Sequence, residues 1–467
     1  MSETTSETTS ETTSAVSGYG FAGLSPEETY RLDRRHVFHS WSAQAALDPM
    51  VITKAEGSYI WDGQGNRLLD FTSQLVYTNL GHQHPRLVAA IQAQAAELCT
   101  LAPPYANAAR SQAARLIASH TPGELDKVFF TNGGADANEH AIRMARLHTG
   151  RQKVLATYRS YHGGTQLAVN VTGDPRRWPN DQGAAGVKHF FGPYLYRSPF
   201  GATTTEEEGQ RALEYLEQVI SFEGPDTIAA IILESIPGTA GVMVPPPGYL
   251  AGVRELCDRH GIVFIADEVM AGFGRAGRWF AIEHATDRAD GSVVPDLLTF
   301  AKGVNSGYVP LGGVAISPQI AATFDERVYP GGLTYSGHPL ACAAAIATIT
   351  TMEDDRIVEH AAALGEEVFR VGLTELAERH EWIGEARGTG VFWVLELVAD
   401  PDTREPLTEH AGGNALAAIV AACKRRGLLP MVNANRLHLV PPLTTTAAEV
   451  RAAIGILDEA LTEVAGS

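Results

Sequence analysis

Cysteine is scarce in this chain: Cys99, Cys257, Cys342 and Cys423 are the four among 467 residues. They lie too far apart for a disulfide framework or paired zinc spacing, so a reducing cytoplasm is the expected compartment. Positive charge is also in deficit, with 36 Lys and Arg against 54 Asp and Glu, a net charge of −18. That balance argues against nucleic acid or an anionic membrane as the main partner. No apolar run approaches the roughly 20 residues that span a bilayer. No G-x-x-x-x-G-K-[ST] loop occurs, and "TYSGH", with Ser336 near His338, lacks the G-x-S-x-G frame. His82 and His84 in "GHQHP" have no further ligands nearby in sequence, so no metal site is expected.

Residues 1–19 contain a Ser-Glu-Thr-Thr unit repeated three times. The segment is too polar to bury a core, which predicts disorder. It also lacks the basic and apolar regions of a secretory signal.

Beyond the tail, "KVFFT" (127–131), "TIAAIILE" (227–234), "IVFIADE" (262–268), "LLTFA" (297–301) and "GGVAIS" (312–317) are apolar runs of strand length. Between them "ANEHAIRMARLHTG" and "GYLAGVRELCDRHG" have helical rhythm and end in Gly150 and Gly261. Fully buried strands alternating with helices imply an α/β fold around a mostly parallel sheet. The last third is helix-rich with short strands, and "GSYIWDGQGNRLLDF" suggests a hairpin turned near Asp62 to Asn66. The expected organisation is a large domain over residues 70–332 and a smaller α+β domain combining 20–69 with 333–467.

Three polar features end or follow apolar strands: Gly133-Gly134-Ala135, Asp267 and Lys302. Ligands of open α/β sheets gather at the carboxyl ends of the strands. Two glycines before a helix can offer backbone N–H groups to a phosphate. A carboxylate at a buried strand end can pair with a protonated aromatic nitrogen, and a desolvated lysine can become a nucleophilic amine. Those are the needs of pyridoxal 5'-phosphate. Tyr161, beside His162 in "SYHGGT", could pack on one face of such a ring, and Val269 on the other. A competing pattern, Gly272-Gly274-Gly277 in "GFGRAG", would suit a nicotinamide-dependent dehydrogenase, but five residues, Asp267 to Ala271, separate it from the apolar residues 262–266.

Taken together, "TNGGADANE", "YHGGT", "FIADEVMAGFGRAG", "TFAKGVNSGYVPLGG" and "LTYSGHPLACA" resemble class III (omega) aminotransferases of pyridoxal-phosphate fold type I. The resemblance covers nearly everything after about residue 30 and is greatest to taurine–pyruvate aminotransferases. It implies a mostly parallel seven-stranded sheet in a large domain, with a smaller α+β domain. Lys302 resembles the Schiff-base lysine and proton-transfer base, and Asp267 the pyridinium partner. Gly134 and Ala135 match the phosphate loop, and Tyr161 the stacking residue. Thr334 matches the threonine that reaches a neighbouring subunit's phosphate, which implies a homodimer with shared sites. Met270 stands where many relatives have Gln, and Thr239 where the 4-aminobutyrate and ornithine relatives have a gating Glu. His438 stands at those relatives' carboxylate-clamp Arg, with Arg436 two residues earlier on the same strand face. Trp41, Val76 and Tyr77 are candidates for the mouth. The expected reaction moves an amino group from an omega-amino acid or primary amine to pyruvate or a similar 2-keto acid. A decarboxylase or aminomutase of the same fold is the alternative.

Overall fold

The structure, a computed structural model, describes residues 23–180, 183, 185–285, 293–408 and 414–466. The repeat tail, expected to be disordered, lies outside the described residues. The chain divides into two compact units, Met1–Ala55 with Ile60–Leu68, and Glu56–Tyr59 with Leu69–Ser467.

In the first unit Ser25 caps the helix Pro26–His36. Its hydroxyl accepts from the Glu28 N–H at 3.1 Å, and proline fills the first helical position. The expected turn is present: the Asp62 carboxylate accepts from the backbone N–H groups of Gln64 and Asn66, which fixes an Asx turn.

The second unit is organised by a seven-stranded sheet. Its strands are β1 (Lys127–Thr131), β2 (Lys153–Thr157), β3 (Val187–Phe190), β4 (Ile228–Glu234), β5 (Val263–Asp267), β6 (Leu297–Phe300) and β7 (Gly312–Ile316), in the order β1-β7-β6-β5-β4-β2-β3. Every residue of β4 and β5 is buried, as a sheet covered on both faces requires. Alternation sorts the side chains. Ile232 and Ile265 pack with Ala141 and Met144 of helix α1 (Gly134–Thr149), while Ile231 and Phe264 join Leu216, Val253 and Leu256 in another cluster. Gly150, at φ 70°, closes α1 in the left-handed conformation that favours glycine.

Strand β7 runs antiparallel to both neighbours, with Gly313 opposite Phe130 on one side and Phe300 on the other. β1 and β6 therefore point the same way, and the carboxyl ends of β1, β2, β4, β5 and β6 share one rim. Close approach requires glycine here: a Cβ on Gly313 would lie 2.4 Å from Phe300 Cζ, and one on Gly312 would lie 2.7 Å from Gly133 O.

Another sheet is built from β8 (Ile383–Thr389), β9 (Phe392–Asp400), β10 (Leu428–Asn433) and β11 (Arg436–Leu439), antiparallel in the order β10-β11-β9-β8. Leu69–Phe71 runs parallel to β10 through Leu428–Pro430. The helices expected in the last third are present, with one departure. The helical stretch 357–379 is interrupted by a π-helical turn, Gly365–Phe369. It falls where the Gly365 backbone meets Gly390, whose carbonyl would lie 2.4 Å from an added Cβ.

Candidate active site

The shared rim opens into a cavity of about 430 Å³. β5 and β6 are neighbours, with Asp267 opposite Thr299. The end of β5 therefore delivers Asp267, and the turn after β6 delivers Lys302. β1 leads into Gly133 and α1 from the far side of β7. Eight of the residues expected at the site line this cavity: Tyr77, Gly134, Ala135, Tyr161, His162, Asp267, Val269 and Lys302.

Asp267 is the most constrained group. Its Oδ2 accepts from His162 Nδ1 at 2.7 Å and Asn138 Nδ2 at 2.8 Å, while Oδ1 accepts from the Val269 N–H at 3.0 Å. Thr299 in turn donates to Asn138 Oδ1 at 2.8 Å. Burial alone pulls the His162 imidazole down, but the hydrogen bond and charge of Asp267 outweigh it and raise it. Its Nε2 is buried with no hydrogen-bond partner.

Lys302 is half-buried and has φ 45°, a left-handed conformation uncommon for a side-chain-bearing residue. Burial pulls its ammonium below the ordinary lysine range, against the charges of Asp267 and Glu234, which favour the charged form. Glu234 ends β4 and accepts from the backbone N–H groups of Tyr161 at 2.8 Å and Gly238 at 2.9 Å. Burial pushes its carboxyl up to about 7 against the opposing charge of His162, with Asp267 adding to the rise.

At the start of α1 no side chain caps the helix, so its first N–H groups and the helix dipole are available to an anion. A Cβ on Gly134 would lie 2.6 Å from Val269 Cγ1, so only glycine keeps this cradle open. Arg176 covers one face of the Tyr161 ring at 3.7 Å and is clamped by Asp174. An aromatic wall, a half-buried amine, a buried carboxylate and an uncapped helix start fit a flat, phosphorylated aromatic aldehyde.

Residues 41–461 match the family described as aminotransferase class-III. The chain belongs to the class-III aminotransferases. The aminotransferase is 34% identical over 434 residues to putrescine–pyruvate aminotransferase of Pseudomonas aeruginosa, covering 89% of this chain and 91% of that one. It is 32% identical over 458 residues to taurine–pyruvate aminotransferase of Bilophila wadsworthia, covering 94% and 97%. Among solved structures it matches taurine:2-oxoglutarate aminotransferase from Bifidobacterium kashiwanohense, in complex with PLP and glutamate. That match has TM-score 0.90 and 40% identity, over 95% of this chain and 99% of the other. The fold is that of the type I pyridoxal-phosphate transaminases, and pyridoxal 5'-phosphate is the cofactor. The dehydrogenase reading of Gly272-Gly274-Gly277 falls with this assignment. The three glycines lie in a turn, Gly274 at φ 85° and Gly277 at φ 78°, that opens no α-helix.

The remaining expected site residues lie elsewhere. Val76 is buried in an apolar cluster with Ile236, Met270 and Phe392. Thr334 is exposed, and Trp41 belongs to the N-terminal unit, also exposed. Arg436 is outside the cavity lining; its Nη1 donates to Ala240 O at 2.5 Å, one residue beyond Thr239 of the cavity wall. It belongs to a basic cluster. Arg159 and Arg387 lie 4.8 and 4.9 Å from the centre of the Tyr194 ring. Glu396 accepts from Arg197 Nε at 2.7 Å, Arg387 Nη2 at 2.8 Å and the Tyr194 hydroxyl. Burial would push Glu396 up, but Arg387 and these bonds hold it at about 2. Burial, with Arg436 and Arg387, pushes His438 down to about 3, and neither ring nitrogen has a partner.

Asn138 and Glu234 are the residues of the cavity wall that sequence reasoning missed. Glu234 carried a signal, the acid ending "TIAAIILE". Asn138, one helical turn past the glycines, carried none.

Proposed function

We propose that this aminotransferase moves an amino group from an omega-amino acid or primary amine to pyruvate or a similar 2-keto acid, at the cavity between Asp267 and Lys302. The observation that carries the reading is a half-buried lysine, its ammonium pulled below the ordinary range, in the same cavity as a fully hydrogen-bonded, buried carboxylate. Pyridoxal phosphate supplies a carbonyl for the incoming amine and a ring that accepts electrons.

The chain's own residues do the rest. The N–H groups of Gly134 and Ala135 hold the phosphate. Tyr161 and Val269 flank the ring, and Asp267, fixed by His162 and Asn138, keeps the ring nitrogen protonated. Lys302, biased toward its neutral form, takes a proton at Nζ and returns it. Burial pushes the Glu234 carboxyl up, which weakens one of the two negative charges that favour the charged form of Lys302.

Arg436 and the surrounding excess of guanidinium groups over Glu385 and Glu396 suit a substrate bearing an acid group. The names of the relatives support donors with a terminal amine and support pyruvate or 2-oxoglutarate as acceptor. Tyr77 of the cavity wall shapes the mouth. Exposed Thr334 reaches the phosphate of a second copy in a homodimer. The protein is cytoplasmic, in keeping with four free cysteines, three of them buried. Among the described residues no helix is long and apolar enough to cross a membrane. The division into a large domain (70–332) and a small one (20–69 with 333–467) is part of the same proposal.

The test is borohydride trapping with peptide mapping, together with a donor panel against pyruvate and 2-oxoglutarate. The adduct is expected on Lys302, and Lys302→Ala is expected to fold, lose the adduct and lose turnover. An adduct elsewhere, or near-normal turnover in that variant, refutes the assignment.

A further inference from the structure

Arg275 is the largest fully buried side chain in the described structure. No carboxylate lies within ion-pair distance of it among the described residues; the Asp70 charge acts on it only from further away. Its fork is spent on four acceptors instead. Nη1 donates to Val391 O at 3.0 Å and Pro441 O at 2.5 Å, and Nη2 to Ser73 Oγ at 3.2 Å and Asn79 Oδ1 at 2.9 Å. Burying a guanidinium without a counter-ion is costly, and an apolar side chain would fill the space more cheaply. What the fork holds gives the reason.

Ser73 and Asn79 bracket a segment that cannot relax unaided. Ser73, Gln74 and Val76 have φ 37°, 65° and 60°, three side-chain-bearing residues in left-handed backbone within four positions. The strained stretch ends at Tyr77 of the cavity wall, whose ring occupies the space a Cβ on Gly307 would need, 2.2 Å from Cδ2. Asn79 continues the chain of contacts. Its Nδ2 donates to Phe273 O at 2.7 Å and lies 2.2 Å from where a Cβ on Gly303 would be. Gly303 directly follows Lys302, which is itself strained. Leu80 N–H donates to Ser306 Oγ at 3.1 Å, fastening the two segments again.

We propose that Arg275 is a positioning residue: its guanidinium clamps the strained 73–79 segment and thereby sets both Tyr77 and, through Asn79 against Gly303, the loop that carries Lys302. Lysine cannot replace it, because one ammonium cannot serve four acceptors in a planar fork. Ser73 and Asn79 then act as its two arms, and losing either arm mimics part of losing the fork.

The test uses the holoenzyme and needs no knowledge of the natural donor. Arg275→Lys, Arg275→Met, Asn79→Ala and the double variant Asn79→Ala/Arg275→Lys are compared with the native chain. Three readouts are taken: the pH midpoint of the cofactor–lysine absorbance band, the rate at which hydroxylamine releases the cofactor, and the melting temperature. Arg275→Lys is expected to bind cofactor, to move the midpoint by half a pH unit or more and to change the hydroxylamine rate fivefold or more. Asn79→Ala is expected to shift both in the same direction. The double variant should be no worse than Arg275→Lys alone, because both changes cut one linkage. A lower melting temperature with native midpoint and native hydroxylamine rate in Arg275→Lys reduces the residue to a structural role and overturns the proposal. If neither Arg275 variant folds, a native midpoint in Asn79→Ala overturns it equally. Loss of the absorbance band in the native chain would count against the cofactor assignment instead.

Discussion

Asp267→Asn probes the site with the smallest change of shape. The native carboxylate accepts three hydrogen bonds, from His162 Nδ1, Asn138 Nδ2 and the Val269 N–H, and is almost wholly buried. The asparagine oxygen can replace Oδ1 for the Val269 N–H. Its NH₂ group then faces two donors, Asn138 Nδ2 and His162 Nδ1, where Oδ2 had accepted from both. A hydrogen bond to a charged group contributes about 1.5–3 kcal/mol, and a buried donor left unpaired costs about as much again. The imidazole of His162 also loses the largest influence that raises it, so burial, which pulls it down, is less opposed. At about 1.4 kcal/mol per factor of ten, losing one charge-assisted bond in the rate-limiting state lowers kcat/KM roughly 10- to 150-fold. The assay is steady-state transamination on cofactor-saturated protein, with the melting temperature and the cofactor absorbance recorded in parallel. A folded, cofactor-loaded Asp267→Asn enzyme within about threefold of native kcat/KM would refute the role argued for this carboxylate.

Other outcomes follow from the same geometry. Arg436→Ala is expected to raise the acceptor KM about tenfold or more, the worth of a charge-assisted bond, in steady-state kinetics with the acceptor varied; an unchanged acceptor KM would remove Arg436 from the site. Gly134→Ala puts a Cβ 2.6 Å from Val269 Cγ1. Overpacking of about 1–3 kcal/mol should appear as roughly tenfold weaker cofactor binding in a reconstitution titration. His438 is held down at about 3, so the native state binds fewer protons than the unfolded chain between that value and the ordinary 6.5. Stability is therefore lost as pH falls through that window. His438→Leu should lessen this loss, seen as a flatter urea midpoint between pH 6.5 and 4.

Much of this was legible in the sequence because the chemistry sits at strand ends. Asp267 and Lys302 each close an apolar run, and the run itself locates them. Gly134 was legible as a pair of glycines opening a helix. The partners of Asp267 were not. His162 is 105 residues away and Asn138 is 129, and nothing local marks which polar groups will converge on a carboxylate. The clasp of Arg275 was hidden for the same reason: it joins the side chains of Ser73 and Asn79 to the backbone carbonyls of Val391 and Pro441, residues far apart in sequence. Val76 shows the opposite failure. An apolar residue beside Tyr77 was expected at the mouth, but left-handed backbone at Val76 turns it into the core.

The reversed strand β7 has a further effect on how the enzyme can change. It is the sole spacer between the strand leading to Gly133 and Gly134 and the strand leading to Lys302. Its two glycines let backbone and ring press together on either side, which fixes the gap across which the cofactor must be gripped. A methyl group added at residue 313 would press on the Phe300 ring and on the Phe129 carbonyl, and so would push the flanking strands apart. Drift at this inconspicuous strand would thus spoil catalysis as surely as damage to the reacting groups.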